Sequence, residues 1–353
     1  MKAIIDIDTL LIHSALAAQE NYVTVTHKPT GDVQEFPTQT AFFGHYSKRN
    51  GGWLAEENAR RDLDGLEPLL ADDYEITQNC RLISERDEDG MPIPAEAIAK
   101  GRLNSKIRFI TEQDWCTDFI IPFGQGKNFR YDVAQTQAYK QGRPPKPLLY
   151  EAVKNYLLYK YKDHLDIVTN VETDDRACQL LWEAWIRSGR NHDNLDSVGV
   201  FIDKDITQVP CLWYNFDKPD IGLTKITSID AARSLAKQML LGDQTDSILG
   251  LPKLTSELHT KYKIRKAASL GETTADNLLK DVHTPKEMFE RVVEAYRELY
   301  GAEKKQWTSF RGDNLEWNYL DYMDETFKLI RMQVGGKPVE HISEFLKRLG
   351  VDV

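Results

Sequence analysis

The sequence holds few cysteines, and their spacing forms no recognisable site. Four cysteines occur among 353 residues, they lie far apart, and none belongs to a Cys-x-x-Cys pair. This pattern argues against a zinc site and a disulfide framework, and it favours a reducing cytoplasm. Long apolar runs are missing too, since no stretch approaches the roughly 18 apolar residues of a membrane span. The first apolar run contains Asp6, so we expect neither a signal peptide nor a membrane anchor there.

The chain also lacks an excess of basic residues. Lysine and arginine number 45 against 55 aspartates and glutamates, which gives a formal net charge of −10. A protein that coats nucleic acid is disfavoured, because binding to phosphates requires clustered positive charge. An enzyme that acts on nucleic acid is not excluded, since only its binding surface has to be basic. With 41% hydrophobic residues, the chain can form one large domain or two ordinary ones with real cores.

Apolar strands alternate with amphipathic helices through the first two thirds of the chain. The alternation indicates an α/β fold with a mainly parallel central sheet that helices flank. Beyond about residue 229 the pattern becomes helical, so we predict an α/β domain over 1–229 and a C-terminal helical region over 230–353. The predicted elements are a strand within 2–12 that enters a helix at 11–19, a hairpin over 22–36, surface helices and loops over 53–105, strands at 119–122, 165–171 and 198–202, and helices at 148–161 and 174–187.

Acidic residues gather where the predicted strands end or the helices begin. Side chains two positions apart on a strand point to the same face, so Asp6 and Asp8 can aim at one point. In open α/β sheets ligands bind at the carboxyl ends of the strands, so carboxylates brought there from distant segments suggest a metal cluster. The acidic groups are Asp6 with Asp8, Glu172 with Asp174 and Asp175, Asp203 with Asp205, Asp243, and Asp246.

Each acidic group has a simpler explanation when it is taken alone. Carboxylates are favoured in the first turn of any helix, so Asp174 and Asp175 can be ordinary first-turn residues. Asp203 and Asp205 can likewise belong to a solvated loop. The joint occurrence favours a metal site, because converging carboxylates repel one another unless cations are present. Oxygen ligands without His or Cys select a hard ion, Mg²⁺ or Mn²⁺.

Several motifs occur in an order that matches a known enzyme family. They are Ile4-Ile5-Asp6-Ile7-Asp8, Asn128-Phe129-Arg130, Tyr139-Lys140-Gln141-Gly142-Arg143, Val171-Glu172-Thr173-Asp174-Asp175, Ile202-Asp203-Lys204-Asp205-Ile206-Thr207-Gln208, and Leu241-Gly242-Asp243-Gln244-Thr245-Asp246-Ser247-Ile248-Leu249-Gly250-Leu251-Pro252. In order and approximate separation they resemble the 5′-nucleases of the flap-endonuclease type, a PIN-like superfamily, and especially the stand-alone 5′-3′ exonucleases of bacteriophages. The resemblance covers most of the chain from Met1 to about Leu279.

The resemblance implies two divalent cations, Mg²⁺ or Mn²⁺, that promote in-line hydrolysis of a DNA phosphodiester bond. Asp8 stands where many family members have asparagine, so it is not included among the ligands. One cation would be held by Asp6, Glu172, Asp174 and Asp175, and the other by Asp203, Asp205, Asp243 and Asp246.

A helical gateway beside the metals, over about 129–162, is also implied by the resemblance. Lys140 and Arg143 fall on the family residues that approach the scissile phosphate, so they are the candidate catalytic side chains. Tyr139 is open to two interpretations, a residue that stacks on a terminal base or a core aromatic. The further candidate nucleic-acid contacts are Arg130, Lys146, Lys253, Lys261, Lys263, Arg265 and Lys266.

Two departures from the family pattern stand out. Phe123 occupies a position where many members have an aspartate. Residues 253–269 interrupt the expected helix-hairpin-helix that follows Asp246, and this basic insertion can either add phosphate contacts or form a solvated loop. The chain is therefore expected to carry a modified helix-hairpin-helix in its C-terminal region.

The activity implied by the resemblance is 5′-3′ exonucleolytic hydrolysis of DNA. The partners it implies are DNA 5′ ends, with flaps and RNA–DNA hybrids as further substrates that the family pattern allows, and replication proteins. No membrane partner is expected. The expected location is the cytoplasm, and for a phage-encoded chain the cytoplasm of the host. The oligomeric state is not indicated by the sequence.

Two other functions compete with a nuclease. A non-catalytic protein that binds branched DNA would explain Phe123 and the altered hairpin. A phosphatase of the haloacid-dehalogenase type would use Asp6 as a covalent phosphoryl acceptor and Asp8 as its acid and base. The phosphatase interpretation leaves the acidic groups after residue 171 and the Tyr-Lys-x-x-Arg motif unexplained.

Overall fold

Strands and helices alternate along most of the chain in the computed structural model, which describes residues 1–45, 51–335 and 338–353. The strands are β1 (Lys2–Ile5), β2 (Gln19–His27), β3 (Val33–Phe36), β4 (Tyr74–Leu82), β5 (Glu85–Arg86), β6 (Pro92–Ile93), β7 (Asp118–Gln125), β8 (Leu165–Thr169), β9 (Ser197–Val200), β10 (Cys211–Tyr214), β11 (Leu223–Ile226), β12 (Gly242–Asp243), β13 (Ile248–Leu249), β14 (Lys305–Thr308) and β15 (Asn314–Trp317). The helices are α1 (Ile7–Leu16), α2 (Gln39–Phe43), α3 (Gly52–Leu63), α4 (Ala95–Thr111), α5 (Arg130–Val133), α6 (Tyr150–Lys160), α7 (Thr173–Arg187), α8 (Ser228–Leu241), α9 (Ser256–Lys261), α10 (Glu272–Leu279), α11 (Pro285–Tyr300), α12 (Tyr319–Ile330) and α13 (Ile342–Leu349).

The central sheet has six strands in the order β11-β10-β9-β1-β7-β8. Parallel pairing joins β1 to β7 and β9, β9 to β10, and β7 to β8, while β11 runs antiparallel to β10. Ala3, Ile4 and Ile5 of β1 are all buried, as expected of a strand in a sheet that is covered on both faces. The predicted α/β fold with a mainly parallel central sheet and a C-terminal helical region is confirmed.

The chain forms two compact units. One consists of residues 1–10, 106–145 and 161–353, and the other of residues 11–105 and 146–160. This division differs from the predicted domains 1–229 and 230–353. The physical reason lies in one apolar core of the first unit, in which Ala134 and Tyr139 pack with residues of the C-terminal helices such as Met239 and Phe327.

The smaller unit contains a three-stranded antiparallel sheet in the order β3-β2-β4. The hairpin predicted over 22–36 is confirmed by the pairing of β2 with β3. Strand β4 pairs with β2 along the whole length of both, from Gln19 opposite Leu82 to His27 opposite Tyr74. It lies in the region expected to hold surface helices and loops, so that expectation was wrong for this strand.

The C-terminal part of the larger unit is helical from α8 to α13, apart from short strands that include the β14–β15 hairpin. The basic insertion at 253–269 contains the short helix α9. Leu254, Leu258 and Ile264 from this insertion are buried in the main apolar core. Because three apolar side chains anchor it, the insertion is not merely a solvated loop.

Candidate metal centre

Three chain segments bring acidic residues to one edge of the central sheet. Asp6 follows β1, and its N–H donates to the carbonyl of Val200 at the end of β9 at 2.9 Å. Asp203 follows β9 by a short connection and caps the turn at 204–208 by accepting from the Asp205 N–H at 2.9 Å. Asp174 lies in the first turn of α7. Parallel strands therefore place carboxylates from distant positions at their shared carboxyl edge, as predicted.

The charges of Asp6 and Asp174 are destabilised in the fold. Burial raises the pKa of Asp6 to about 7, with a further contribution from Asp8 and a smaller one from Asp203. Burial also raises the pKa of Asp174 well above its usual range, and the charges of Asp6, Asp203 and Asp8 add to the effect. Hydrogen bonds from the Asp8 N–H at 3.1 Å and the Thr9 hydroxyl at 2.9 Å hold the two Asp6 oxygens. These carboxylates thus repel one another, and a cation would relieve the repulsion.

A second acidic group surrounds Lys204. Its ammonium donates to the Asp243 carboxylate at 2.7 Å and lies 3.4 Å from that of Asp205. Burial acts to raise the pKa of Asp243, but the hydrogen bond and charge of Lys204 outweigh it and lower that pKa. Burial and the neighbouring Asp203 raise the pKa of Asp205 to about 7. Gln238 of α8 donates a hydrogen bond to Asp205. In this group a lysine side chain supplies part of the positive charge.

The remaining acidic group joins the Tyr-Lys-x-x-Arg motif to α7 and to the segment after β12. Lys140 forms an ion pair with Glu172 and lies 3.7 Å from Asp246. Arg143 donates to the Asp246 carboxylate, with its Nε at 3.0 Å. The two predicted catalytic cations are therefore next to two predicted metal ligands. The main-chain N–H of Lys140 donates to the Asp246 carbonyl at 2.8 Å, which ties the two segments together.

Arg130 does not face the solvent, so the expectation that it contacts nucleic acid is corrected. Its side chain is fully buried, with 0% exposed, and its guanidinium donates to both oxygens of Asp175 at 2.6 and 2.9 Å and to Glu172 at 2.8 Å. Burial opposes the charge of Arg130, but the two carboxylates outweigh it and raise its pKa. Asp175 also accepts from the Gln333 N–H at 2.8 Å. Both Asp175 oxygens are thus engaged with protein donors.

Tyr139 lies in the core and only 6% of its surface is exposed. Its hydroxyl donates to Asp246 at 2.9 Å and lies 3.1 and 3.3 Å from the two Glu172 oxygens. Burial and the charge of Glu172 raise the pKa of this phenol. Of the two interpretations of Tyr139, the structure agrees with the core aromatic, because the ring presents too little surface for a base to stack on it.

The other predicted nucleic-acid contacts lie on the surface. Lys253, Lys263, Arg265 and Lys266 are exposed side chains of the basic insertion. Lys261 is exposed as well, and it forms an ion pair with Glu294 of α11. In the smaller unit Lys146 is exposed, with its ammonium 3.8 Å from the centre of the Tyr150 ring. Their exposure leaves these side chains accessible to a phosphate from the solvent.

No metal-binding geometry is preformed in the part of the chain that the structure describes: no three His, Cys, Asp or Glu side chains are arranged to hold an ion. The donor chemistry nevertheless fits a hard divalent cation, because the cluster around Asp6 and Asp174 is made of oxygen donors whose charges repel. Phe123, at the position where the family often has an aspartate, is a buried residue of β7. It supplies no ligand.

Structural comparison finds enzymes of bacteriophage T5. A flap endonuclease in a pseudo-enzyme-product complex with DNA and metal ions is 12% identical, with 71% of this chain and 89% of that chain covered at a TM-score of 0.34. A mutant 5′-exonuclease is 12% identical, with coverages of 71% and 91% and a TM-score of 0.32. A T5 protein co-crystallised with metal ions is 13% identical, with coverages of 56% and 82% and a TM-score of 0.32.

These enzymes are 5′-nucleases, the class that the sequence motifs resemble. TM-scores this low support no conclusion about the chemistry of the present chain. No protein-family model and no curated protein matches the chain. The residues of the site itself are therefore the basis for a functional proposal.

Sequence patterns alone did not identify two polar residues of the site. Gln208 and Gln238 are buried and joined by a 2.6 Å hydrogen bond, and Gln238 continues to Asp205. A signal for Gln238 was present, since it is a polar residue on the apolar face of an amphipathic helix. Gln208 is the last residue of the motif that begins at Ile202, and nothing in that motif indicates its hydrogen-bond partners.

Proposed function

We propose that this protein is a metal-dependent 5′-3′ exonuclease that hydrolyses phosphodiester bonds of DNA. The observation that carries the proposal is the convergence of acidic residues on Asp6 and Asp174, where burial and the charges of neighbouring carboxylates, including Asp8 and Asp203, raise the pKa of both. Such a cluster of oxygen ligands is suited to hard cations. When bound, two Mg²⁺ or Mn²⁺ ions would supply a hydroxide nucleophile and charge neutralisation at the phosphate.

The carboxylates proposed to hold these ions differ in how accessible their oxygens are. Asp203, which the resemblance assigns to the second ion, is moved to the first because its charge acts on Asp6 and Asp174. Asp6, Asp174 and Asp203 would thus hold the first ion, and Asp205 and Asp243 the second. Glu172 and Asp246 would join them when Lys140 and Arg143 turn from these carboxylates towards a phosphate. Asp175 is better suited to positioning, because Arg130 and the Gln333 N–H already bind both of its oxygens.

Lys140 and Arg143 are proposed to bind and orient the scissile phosphate. Both are cations beside the carboxylate cluster, and 46% of the Arg143 side chain is exposed. A guanidinium and an ammonium can donate several hydrogen bonds to phosphate oxygens and stabilise the charge that develops on them. Replacing Lys140 with alanine is expected to reduce kcat by about 100-fold, the usual loss when one such donor is removed.

DNA is the proposed partner, with 5′ ends as the point of attack. The exposed basic side chains at Lys253, Lys263, Arg265 and Lys266 would hold the sugar-phosphate backbone in a sequence-independent manner. Every helix in the described residues is too short or too polar to span a bilayer. All four cysteines are free thiols, which supports a reducing cytoplasm, the host's for a phage-encoded chain.

One assay tests the proposal. Duplex DNA labelled at its 5′ or its 3′ end is incubated with Mg²⁺ and wild type, Asp174→Asn or the control Asp193→Asn, which alters a carboxylate that pairs with Lys225 on the surface. We expect early release of the 5′ label by wild type and by the control, and a loss of about 100-fold or more in Asp174→Asn. Absence of Mg²⁺-dependent cleavage by wild type would overturn the proposal.

A binding protein without catalysis is the second candidate. Two observations favour it. Phe123 is buried and supplies no ligand, and Lys140 and Arg143 form ion pairs with carboxylates that were expected to bind metal. Wild type that retards branched DNA in a gel but cleaves none of it at any Mg²⁺ or Mn²⁺ concentration would establish this candidate instead. Appearance of a phosphorylated Asp6 would point to the phosphatase chemistry.

A further inference from the structure

The end of helix α12 and the residues that follow it run through the support of the acidic cluster. Residues 329–333 belong to no strand, yet side chains from other parts of the larger unit bind five of their main-chain groups. The Leu329 and Arg331 carbonyls accept from Arg130 at 2.8 and 3.0 Å. The other three contacts are the Ile330 carbonyl with Gln208 at 3.0 Å, the Met332 N–H with Gln208 at 3.1 Å, and the Gln333 N–H with Asp175 at 2.8 Å.

Arg130 is saturated by this arrangement. A guanidinium has five N–H donors, and those of Arg130 make five hydrogen bonds: two to main-chain carbonyls of 329–333, two to Asp175 and one to Glu172. A cation at the C-terminal end of a helix also meets its partial negative charge, and the last carbonyls of a helix need partners from outside it. Arg130 thus connects the end of α12 with the start of α7.

Gln208 makes a second connection to 329–333. It is 3% exposed, and besides its bonds to Ile330 and Met332 it donates to the Gln238 side-chain carbonyl at 2.6 Å. Gln238 in turn donates to the Asp205 carboxylate. A continuous chain of hydrogen bonds therefore leads from the main chain at 330–332 to Asp205.

We propose that residues 329–333 form a clamp that positions the two halves of the acidic cluster relative to each other, with Arg130 acting on Glu172 and with Gln208 and Gln238 acting on Asp205. This inference rests on the proposed function. Residues that hydrogen-bond metal ligands fix the orientation of those ligands, and their loss typically weakens metal binding by about 10- to 100-fold. Gln208 and Gln238 are accordingly positioning residues.

Two isosteric variants separate the clamp from its effect on the cluster. Gln208→Met leaves the Ile330 carbonyl and the Met332 N–H without the Gln208 side chain. Gln238→Met keeps those two contacts and removes the bond between Gln208 and Gln238 together with the link to Asp205. Gln179→Met is the matched control, because Gln179 is a buried glutamine that bonds to Arg176 instead. Amide hydrogen exchange of a peptide that covers 329–333 and Mn²⁺ binding followed by electron paramagnetic resonance are measured for each protein.

For Gln208→Met we expect exchange at 332 and 333 to be at least tenfold faster and the affinity for one Mn²⁺ ion to fall by about 10- to 100-fold. For Gln238→Met we expect unchanged exchange and the same loss of affinity, which a merely structural role would not produce. Mn²⁺ affinities within twofold of wild type in Gln238→Met would overturn the positioning role. Wild type that binds no Mn²⁺ overturns the proposed function together with this role, so the two failures are distinguishable.

Discussion

The Arg130 guanidinium combines full burial with five hydrogen bonds, and this makes its contribution to stability testable. Removing one partner of a buried ion pair leaves a charge without compensation, at a cost of about 3–5 kcal/mol. We therefore expect Arg130→Met to lower the free energy of unfolding by about that amount in urea titrations. The double variant Arg130→Met/Asp175→Leu should recover part of the loss, because it removes the stranded carboxylate as well.

A surface arginine provides the control for this prediction. Arg81 also pairs with two carboxylates, Glu20 and Glu35, but about half of its side chain is exposed. Exposed ion pairs contribute little because water and salt screen them. Arg81→Met should leave the unfolding midpoint nearly unchanged. An equal loss of unfolding free energy in Arg81→Met and Arg130→Met would contradict the larger contribution expected of Arg130.

Asp174 gives the opposite prediction, a gain in stability when a charge is removed. Its pKa is raised by burial and by the acidic neighbours Asp6, Asp203 and Asp8, so its charged form costs free energy in the metal-free fold. Asp174→Asn should raise the Tm in EDTA, by about 1–2 °C for each kcal/mol of repulsion removed. The same variant should lose the stabilisation that Mg²⁺ gives wild type. A lower Tm in EDTA would show that Asp174 is held by favourable contacts instead.

At the scale of elements, strand β7 passes so close to the start of α7 that only glycine fits at position 124. A methyl group on Gly124 would lie 2.3 Å from the Val171 carbonyl oxygen and 2.7 Å from the Thr173 nitrogen. Gly124→Ala must displace backbone, so we expect a loss of about 1–3 kcal/mol in the free energy of unfolding. Gly101→Ala in α4 has open space around it and should be neutral or stabilising. Equal effects in urea unfolding would contradict the close approach.

The elements also show what the sequence could and could not predict. Strands β1, β7, β8 and β9 were predicted from their apolar residues, and β1 and β9 show the nearly continuous apolar, buried run of a central parallel strand. Strand β4 was missed because its residues alternate between exposed and half-buried positions, without an apolar run. The sequence predicted where the acidic groups lie, because they stand at strand ends. It did not predict which basic side chains pair with them. Which carboxylate Arg130 or Lys204 binds depends on contacts between segments far apart in the chain, and local patterns carry no information on such contacts.

At the scale of the whole molecule, the acidic cluster should make stability depend on pH. The folded pKa of Asp6 and of Asp205 is about 7, against about 3.9 in an unfolded chain. Between these pH values the folded state binds more protons than the unfolded state. The contribution of these two groups to the free energy of unfolding therefore decreases as the pH rises from about 4 to about 7.

Comparing the urea unfolding of wild type and Asp6→Asn in EDTA isolates the contribution of Asp6 to the free energy of unfolding. We expect wild type to lose stability relative to Asp6→Asn between pH 5 and pH 7.5, by at most about 1.4 kcal/mol per pH unit. Saturating Mg²⁺ should flatten this difference in wild type, since a bound cation favours the charged carboxylate. A difference that grows in the opposite direction would mean that Asp6 is stabilised in its charged form without metal.

The hydrogen bonds between Arg130 and residues 329–333 determine when, during synthesis of the chain, the acidic cluster can become organised. Arg130 and Arg331 are separated by 201 positions in the chain. During synthesis every proposed metal ligand leaves the ribosome well before the end of α12 does. Until that late segment arrives, the Arg130 guanidinium has only carboxylate partners and the acidic cluster has no clamp. Nascent chains that stop before residue 329 should therefore lack these contacts and remain without an organised cluster.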